Sequence, residues 1–406
     1  MTANPSPARP AAPRLSRAAR GVAPLFGNTH RAVLAAAVAA GIAAFAVALA
    51  RGEAARAWQA YLVNLLFFLG IAQGGVVVAA AFYLTQARWA GTAAFRLAEA
   101  FSGFLPLGFV LFWGLYFGRT LIFPWVLHPV AQKAAWLNTP FLFARDGAGL
   151  LAMTLLSAWL VRVSRSSQAR AWAAASSDIE MPPPAIRRLA TVLALAFAAV
   201  YSLIAFDLVM SLAPAWHSTL FGAYFFAAAF LSAVAAMALT AVILRGRLGP
   251  ANAFAAPKVL HDLGKLVFAF SVFWIYLLFA QYIVIWYGDI PVETFFIVQR
   301  VYYAPWAPLS YAAVILIWVA PFLVLLGARP KRTPVILGAV AAGVLAGIWL
   351  ERYVLVVPSL SQHAVPFGWI ELLITLGFLG GFVLCAIPGL NLAASAARAE
   401  LAAETH

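Results

Sequence analysis

Several ionisable residues lie within or beside long apolar stretches of this chain, where a charge is costly and is usually retained for a purpose. They are Glu99, Asp207 and a cluster of three residues, His261, Asp262 and Lys265. Removal from water raises the pKa of a carboxyl group, so that it can bind and release a proton near neutral pH. These residues are therefore candidates for a path that carries protons across a membrane.

The cluster of His261, Asp262 and Lys265 stands at the start of the apolar stretch 261–293, HDLGKLVFAFSVFWIYLLFAQYIVIWYGDIPVE. The three side chains fall within one helical turn, where Asp262 and Lys265 can neutralise each other. The helix dipole places partial positive charge at the start of a helix, which stabilises the carboxylate of Asp262 but not the ammonium group of Lys265. Tyr276 lies three turns beyond Lys265 on the same helix face and continues a polar stripe. We interpret the cluster as the inner entrance of a proton path, with helix-end structure as the alternative.

Glu99 and Asp207 each allow two interpretations. Glu99 follows Arg96 by three residues, a spacing that suits either a surface ion pair or a carboxylate at the inner entrance of a proton path. Asp207 lies in the apolar segment SLIAFDLVMSL, so it must face the interior of a helix bundle or bind a proton. Its role is either a structural hydrogen bond to a neighbouring helix or proton transfer. His217 follows in the next turn, and we predict that Asp207 and His217 can meet at the outer membrane face.

Three further groups of ionisable residues stand at the ends of apolar stretches. Glu351 and Arg352 are adjacent in the chain, as are Arg145 and Asp146, and Glu371 begins the last stretch. We interpret the two pairs as ion pairs at the membrane surface and Glu371 as a polar residue near the outer headgroups. A charge at that level keeps its contact with water, so these residues need no functional role.

The elements that position these residues are apolar spans. Hydrophobic residues make up 65% of the 406-residue chain and charged residues 10%, whereas a soluble domain averages about 25% charged residues. A helix crosses the hydrocarbon core with about 20 residues. The predicted fold is therefore an all-α integral membrane protein with ten transmembrane helices. The predicted spans are 32–51, 58–84, 93–118, 142–163, 187–212, 218–244, 261–287, 303–327, 333–354 and 367–388.

The distribution of basic residues predicts the orientation. Ten spans place both termini on one side, and a cytoplasmic position for the termini puts roughly 20 Lys and Arg residues inside and roughly 7 outside. A net charge of +14 that is spread over short loops is typical of membrane topology and argues against binding to nucleic acid. The chain is thus predicted to be a multi-pass protein of the lipid bilayer with both termini in the cytoplasm.

The spans also suggest a division of the membrane domain, 32–388. Spans two to five and spans six to nine align as two sets with the same orientation, which predicts two four-helix bundles over about 58–212 and 218–354. The first and tenth spans are then peripheral. Residues 1–31 are rich in Pro, Ala and Arg and predict a disordered basic tail in the cytoplasm. Residues 389–406 are predicted to be a second, short cytoplasmic tail.

The sequence holds no set of residues for a redox centre. Cys385 is the only cysteine, which excludes a disulfide framework and an iron–sulfur cluster held by this chain alone. The six histidines lie in tails, loops or span ends, whereas a membrane haem needs histidines on facing helices within the apolar region. P-loop, HExxH and nucleophile-elbow motifs are absent. We therefore predict no catalytic residue, no metal site and no redox cofactor bound by this chain.

Three segments carry a resemblance to a known family. They are WLNTPFLFAR at 136–145, FDLVMSLAPAWHSTLFGAYFFAAAFLSA at 206–233 and HDLGKLVFAFSVFWIYLLFAQYIVIWYGDIPVET at 261–294. In these segments the chain resembles the F subunit of alternative complex III, within the wider NrfD/PsrC-like family, and its ten-span layout matches as well. Two departures lie at the outer surface. The segment 289–293 is DIPVE where the family typically has NIPEE, and His217 stands where an aromatic residue is more frequent.

The resemblance implies a subunit of a quinol:electron-acceptor oxidoreductase in the bacterial inner membrane. Its partners would be an NrfD-like C subunit, an iron–sulfur B subunit and haem c subunits, with cytochrome c or a terminal oxidase as the electron acceptor. The F subunit resembles a companion of the C subunit, which is the better candidate for the quinol pocket. It is expected to be a non-catalytic subunit that conducts protons. The resemblance thus implies that the proton path consists of the ionisable residues identified above. They are Glu99, Asp207, His261, Asp262 and Lys265.

Three other functions remain open. The chain could hold a quinone or quinol site of its own near the outer face, at Asp207 and His217. It could also be a stand-alone secondary transporter, although transporters usually break helices near the midplane and only Pro106 and Gly108 suggest such an interruption. Finally, the chain could be a purely structural membrane anchor, in which every charged residue has only a structural role.

Overall fold

The computed structural model describes residues 25–404, with gaps at 88, 90, 167–168, 170–171, 173–180, 250–251 and 363. Ten helices within these residues are long and apolar enough to cross a membrane. They are α1 (Asn28–Ala50), α2 (Ala54–Leu84), α3 (Gly91–Gly114), α4 (Thr139–Ser164), α5 (Pro184–Leu208), α6 (Phe221–Leu248), α7 (Pro257–Gly288), α8 (Trp306–Val324), α9 (Pro334–Leu360) and α10 (Trp369–Glu404). An eleven-residue helix, Pro291–Val301, connects α7 to α8.

These helices confirm the predicted all-α membrane fold with ten spans, and the described residues form no strand. Two of the helices change their hydrogen-bonding pattern along their length. α3 is 3₁₀-helical at Phe101–Phe104, directly before the predicted interruption at Pro106, whose missing N–H leaves a carbonyl in that turn without its usual donor. α8 is π-helical at Ile315–Val319.

Both predicted tails differ from the structure at their inner boundaries. α1 begins at Asn28, inside the predicted tail 1–31, and residues 1–24 of that tail lie outside the described residues. α10 continues to Glu404 and so includes most of the predicted tail 389–406. Its C-terminal part, LNLAASAARAELAAE, is rich in Ala, Leu and Glu, which have high helix propensity and allow the helix to continue beyond the apolar span.

Successive helices alternate in direction, so that the protein has two opposite ends. We name the end where α1 begins the terminal side and the end where α1 stops the distal side. Contacts between helix ends support the alternation. On the distal side, Arg56 at the start of α2 donates to Glu371 at the start of α10, at 3.0 and 2.9 Å. On the terminal side, Arg247 at the end of α6 donates to the carbonyl of Leu25, just before α1.

The helices form two groups that meet at a shared centre. α2 to α5 pack on one another, as do α6 to α9, which fits the predicted two sets of four helices. α2 and α6 are largely buried and pack against each other between the two groups. α1 and α10 pack together at the periphery, and α10 also lies against α2 and α3. The arrangement brings the polar residues of α3, α4 and α5 into one half of the molecule.

Glycines permit the closest helix contacts. A Cβ atom on Gly41 of α1 would lie 2.7 Å from the Cα of Gly377 in α10, and one on Gly74 of α2 would lie 2.6 Å from the Ala229 carbonyl of α6. Helices in lipid associate through close van der Waals packing, because the hydrophobic effect does not drive them together there. Small residues at the crossings let the two backbones approach. Packing at these crossings therefore depends on glycine.

Candidate functional site

A buried ion-pair cluster lies where α4 begins and α5 ends, on the distal side. Arg145 donates to Asp207 twice, from Nε to Oδ2 and from Nη2 to Oδ1, both at 2.5 Å. Trp136, in the connection before α4, donates from Nε1 to Asp207 Oδ1 at 2.9 Å, and its ring lies 4.0 Å from the Arg145 guanidinium. Asp207 is fully buried. As predicted, it faces the interior, but its partner is a bidentate arginine of the neighbouring helix.

Asp146 adds a second carboxyl group to this cluster. It is buried in contact with Asp207, close enough for one carboxyl group to donate to the other when it carries a proton. Two carboxyl groups and one guanidinium leave an excess negative charge, and like charges in contact cannot both ionise cheaply away from water. The interpretation of Arg145 and Asp146 as a surface ion pair was wrong, because Arg145 pairs with Asp207 and Asp146 is buried against Asp207 instead.

A second buried cluster lies on the terminal side of the same helix group. Arg96 donates from Nη1 to Glu99 Oε2 at 2.7 Å and to Ser164 Oγ at 2.9 Å, and from Nη2 to the Ser164 carbonyl at 2.8 Å. The hydroxyl of Ser164 donates to the other oxygen of Glu99. Arg96 and Glu99 are both buried. The predicted pair is therefore present, but it lies inside the protein and is closed by the last residue of α4.

The two clusters are joined by one face of α4. Asp146, Ser157 and Ser164 are separated by eleven and seven residues, close to three and two helical turns, and all three are buried. Ser157 accepts a hydrogen bond at 2.9 Å from Nε2 of Gln73, a buried residue of α2. From Asp146 to Ser164 the helix rises about 27 Å, close to the thickness of a hydrocarbon core. We call these residues, with Gln73 and Glu99, the α4 polar series.

The predicted entrance cluster on α7 is assembled, with Asp262 buried and Lys265 at the surface. Asp262 Oδ1 is 2.6 Å from Lys265 Nζ and 3.7 Å from His261 Nδ1. The side chain of Lys265 is 56% exposed. No hydrogen bond or ion pair of the described residues links this cluster to Glu99, whose partners are Arg96 and Ser164. The structure therefore does not join the two parts of the predicted inner entrance.

Tyr276 does not continue a polar stripe into the protein. It shares a face of α7 with Lys265, as the spacing predicts, but it is 63% exposed and its ring stacks on Phe273, which is also exposed. The face of α7 that packs inward carries Trp274 and Gln281 instead. Tyr276 therefore lies on the outer surface of the protein and does not line an interior path through α7.

The predicted contact between Asp207 and His217 is not present. His217 is 64% exposed and its Nε2 lies 3.2 Å from Glu293 Oε1, in the helix that follows α7. Asp207 is enclosed by Arg145 and Trp136. A site built from Asp207 and His217 together is therefore wrong for this structure, because a partner from another helix occupies each side chain.

Sequence reasoning also misplaced Glu351 and Arg352. Both are buried, and Arg352 donates from Nη2 to the Phe225 carbonyl of α6 at 3.0 Å. Glu351 Oε2 lies 3.4 Å from Arg352 Nη1, and the side chains of Tyr224 and Trp274 contact the carboxylate. Glu371 is likewise buried and is paired with Arg56. Adjacent charges in sequence indicate an ion pair, but they do not tell whether α9 turns them towards lipid headgroups or towards α6.

No group of three or more His, Cys, Asp or Glu residues that could hold a metal ion occurs among the described residues. No model of a known protein family matches the chain, and no curated protein matches it. The site is therefore characterised by its own geometry, which consists of buried ionisable clusters at the two ends of α4, with hydrogen-bonding side chains between them.

Proposed function

We propose that this chain is a proton-conducting and scaffolding membrane subunit of a quinol-oxidising complex of the alternative complex III type. The observation that carries the proposal is the α4 polar series, which places ionisable or hydrogen-bonding groups at both ends of a membrane-spanning helix and between them. Ionisable residues within a membrane are costly, and proton relays are one of the functions for which they are retained. The family assignment rests on the sequence motifs given above.

In this proposal Asp146 is the proton-exchanging group of the distal side. It is buried against Asp207, it has no cation of its own, and it shares the Arg145 guanidinium with Asp207. Binding one proton neutralises the excess charge of the cluster, so proton uptake and release there have a low electrostatic cost. Asp207 holds Arg145 in position, and its bidentate hydrogen bonds suit a fixed counter-ion better than a carrier.

Glu99 is the corresponding group of the terminal side. Its two oxygens accept from Arg96 and Ser164, and Ser164 is part of α4. Between Glu99 and Asp146 stand the amide of Gln73 and the hydroxyl of Ser157, about halfway along the series. Water molecules bridge the remaining intervals in the proposal, because hydrogen-bonding side chains alone do not span about 27 Å.

The setting is the bacterial inner membrane, with the terminal side in the cytoplasm. The Lys and Arg residues are concentrated in loops of that side, which supports the orientation. Redox chemistry belongs to the partners, an iron–sulfur B subunit and haem c subunits beside an NrfD-like C subunit. This chain supplies a path for protons and a surface on which the complex assembles.

Proton release per quinol oxidised, measured in liposomes that hold the whole complex, tests the proposal. We expect Asp146→Asn to lower the proton yield while electron transfer continues, because an amide cannot exchange the proton. Asp262→Asn is the matched control, since it removes a carboxylate of the same type outside the series. Equal proton yields in wild type and Asp146→Asn, with assembled complex in both, would leave only the scaffold role. A fall with Asp262→Asn alone would move the path to α7.

A further inference from the structure

A groove between α3 and α4 opens on the surface of the protein and lies outside the α4 polar series. Its volume is about 360 Å³. Thr154, Ala158 and Arg165 line it from α4, at intervals of four and seven residues that place them on one helix face. From Thr154 to Arg165 the helix rises about 16 Å, roughly half the thickness of a hydrocarbon core. The groove therefore has the length of one lipid leaflet.

The groove forms where α3 narrows and α4 carries a small side chain. α3 is 3₁₀-helical at Phe101–Phe104, and such a turn winds the backbone more tightly than an α-helix does. Ser102 in this turn, and Leu105 and Pro106 directly after it, form the α3 wall. On the α4 wall, Ala158 contributes only a methyl group. Neither wall therefore fills the space between the two helices.

The inner part of the groove presents an apolar surface, although two hydroxyl groups line it. Ser102 Oγ donates to the Glu99 carbonyl at 2.7 Å. Thr154 Oγ1 donates to the Leu150 carbonyl at 2.8 Å. Each hydroxyl is thus bonded to the backbone of its own helix, and the other side chains there are apolar, namely Leu105, Pro106, Ala158 and Val161. A hydrocarbon chain can lie against this surface without leaving a hydroxyl donor unpaired.

The end of the groove on the terminal side is cationic. Arg162 and Arg165 line it, and both are exposed and three residues apart, so they are neighbours on the helix surface. Within the described part of the chain, neither guanidinium has an ion-pair or hydrogen-bond partner. Arg165 interacts electrostatically with Glu99, but that carboxylate is already paired with Arg96. This end of the groove therefore carries excess positive charge.

A ligand that fits both parts of the groove has an anionic head and an apolar chain. The helix dipole favours cations at the end of a helix, which accounts for arginines at the end of α4. It does not account for an apolar groove that leads from these arginines towards the middle of the membrane. Basic pockets between transmembrane helices bind the headgroups of anionic lipids in other membrane proteins. The charge and the length of this groove match such a lipid.

We propose that this groove binds one anionic phospholipid of the leaflet on the terminal side. The phosphate group accepts hydrogen bonds from Arg162 and Arg165, since guanidinium groups suit the geometry of phosphate oxygens. One acyl chain lies along the groove between Leu105 and Ala158 and ends near Thr154. The site lies outside the α4 polar series and does not depend on the proposed function.

Lipid binding to the full-length chain tests the proposal. The chain in dodecyl maltoside micelles is titrated with dioleoylphosphatidylglycerol or with zwitterionic dioleoylphosphatidylcholine, and bound lipids are counted by native mass spectrometry. We expect the first phosphatidylglycerol to bind about tenfold more tightly than the first phosphatidylcholine, because only its headgroup has a net negative charge. Glycerol 3-phosphate has the anionic group without acyl chains, and in large excess it should not displace the lipid.

Double variants locate the headgroup. Arg162→Gln with Arg165→Gln removes both guanidinium groups from the groove and should abolish the preference for phosphatidylglycerol. Arg187→Gln with Arg188→Gln is the matched control. It removes two exposed arginines at the start of α5, on the same side of the protein but outside the groove, and should retain the preference. Equal loss in both double variants would indicate general attraction to basic residues and overturn the proposal.

A second pair of variants tests the groove with both arginines in place. Ala158→Trp fills the groove at an exposed position and should prevent binding of the first phosphatidylglycerol. Leu155→Trp changes an exposed residue of the same helix that does not line the groove, and it should bind lipid like the wild type. Equal affinity for the two lipids, unchanged binding in Ala158→Trp, or displacement by glycerol 3-phosphate would also overturn the proposal.

Discussion

Two clusters of the molecule contain the same kinds of charge, and they differ in the exposure of the cation, since Arg145 is nearly enclosed and Lys265 reaches the surface. Asp207 and Arg145 pair inside the protein, and Asp146 is buried against Asp207. Asp262 and Lys265 pair at the start of α7, where the lysine remains more than half exposed. A buried charge pair is strongly coupled to the fold, whereas water screens an exposed one. The comparison teaches that tertiary burial, rather than the density of charges in sequence, separates a functional candidate from helix-end structure.

The largest change in stability is expected from the substitution Asp207→Ala. Removal of this carboxylate leaves Arg145 buried beside Asp146 alone and removes the acceptor of Trp136, so we expect a loss of about 3–5 kcal/mol. Unfolding of the purified chain in mixed micelles, monitored by circular dichroism, measures the change. Asp146→Asn serves as the control, since it removes a like charge and should leave stability unchanged or increased. If both variants lost the same stability, the two aspartates would have equivalent roles, against the structure.

A smaller effect is expected at the terminal end of the series. Glu99→Gln keeps one acceptor for Arg96 but removes the negative charge, and we expect a loss of about 2 kcal/mol in the same unfolding measurement. Ser164→Ala should cost about 1 kcal/mol, because Arg96 retains the Ser164 carbonyl. A Glu99→Gln protein as stable as wild type would show that this cluster is open to water.

Among the buried members of the α4 polar series, the central pair of Gln73 and Ser157 should contribute least to the free energy of unfolding. A double-mutant cycle with Gln73→Leu and Ser157→Ala isolates their hydrogen bond, for which we expect a coupling of about 0.6 kcal/mol. Such a weak bond can open for water, as the proposed path requires. A coupling well above about 2 kcal/mol would mean a rigid structural bond and would argue against proton passage there.

The smallest effect is expected at the α7 cluster, where the comparison is sharpest. Asp262→Ala should change the free energy of unfolding by less than about 1 kcal/mol, because its partner Lys265 is exposed and easily solvated. Adding salt should reduce even this difference. A loss comparable to that of Asp207→Ala would show that the cluster is buried in the assembled membrane protein, and the contrast between the two regions would disappear.

Much of the fold could be predicted from composition and pattern. Ten long apolar stretches specify ten membrane helices, because lipid requires every backbone polar group to be paired within the helix. The burial of Asp207 and the proximity of Arg96 to Glu99 followed from their apolar surroundings and spacing. The α4 polar series was also detectable, since Asp146, Ser157 and Ser164 recur at helical intervals, but hydroxyls are too common in membrane helices to stand out alone.

The sequence by itself determined which segments are long and apolar enough to span a membrane, and that Asp207 must face the interior. Only the tertiary structure decided the partners of the ionisable residues, as with Arg145, which bonds to Asp207 of α5 rather than pairing with adjacent Asp146. It also decided which face of each helix is buried, which places Tyr276 on the outer surface and Glu351 inside the protein. The physical reason is that apolar residues cover all sides of these helices. The periodicity of the sequence then does not indicate which face of a helix points inward, and packing between helices selects that face.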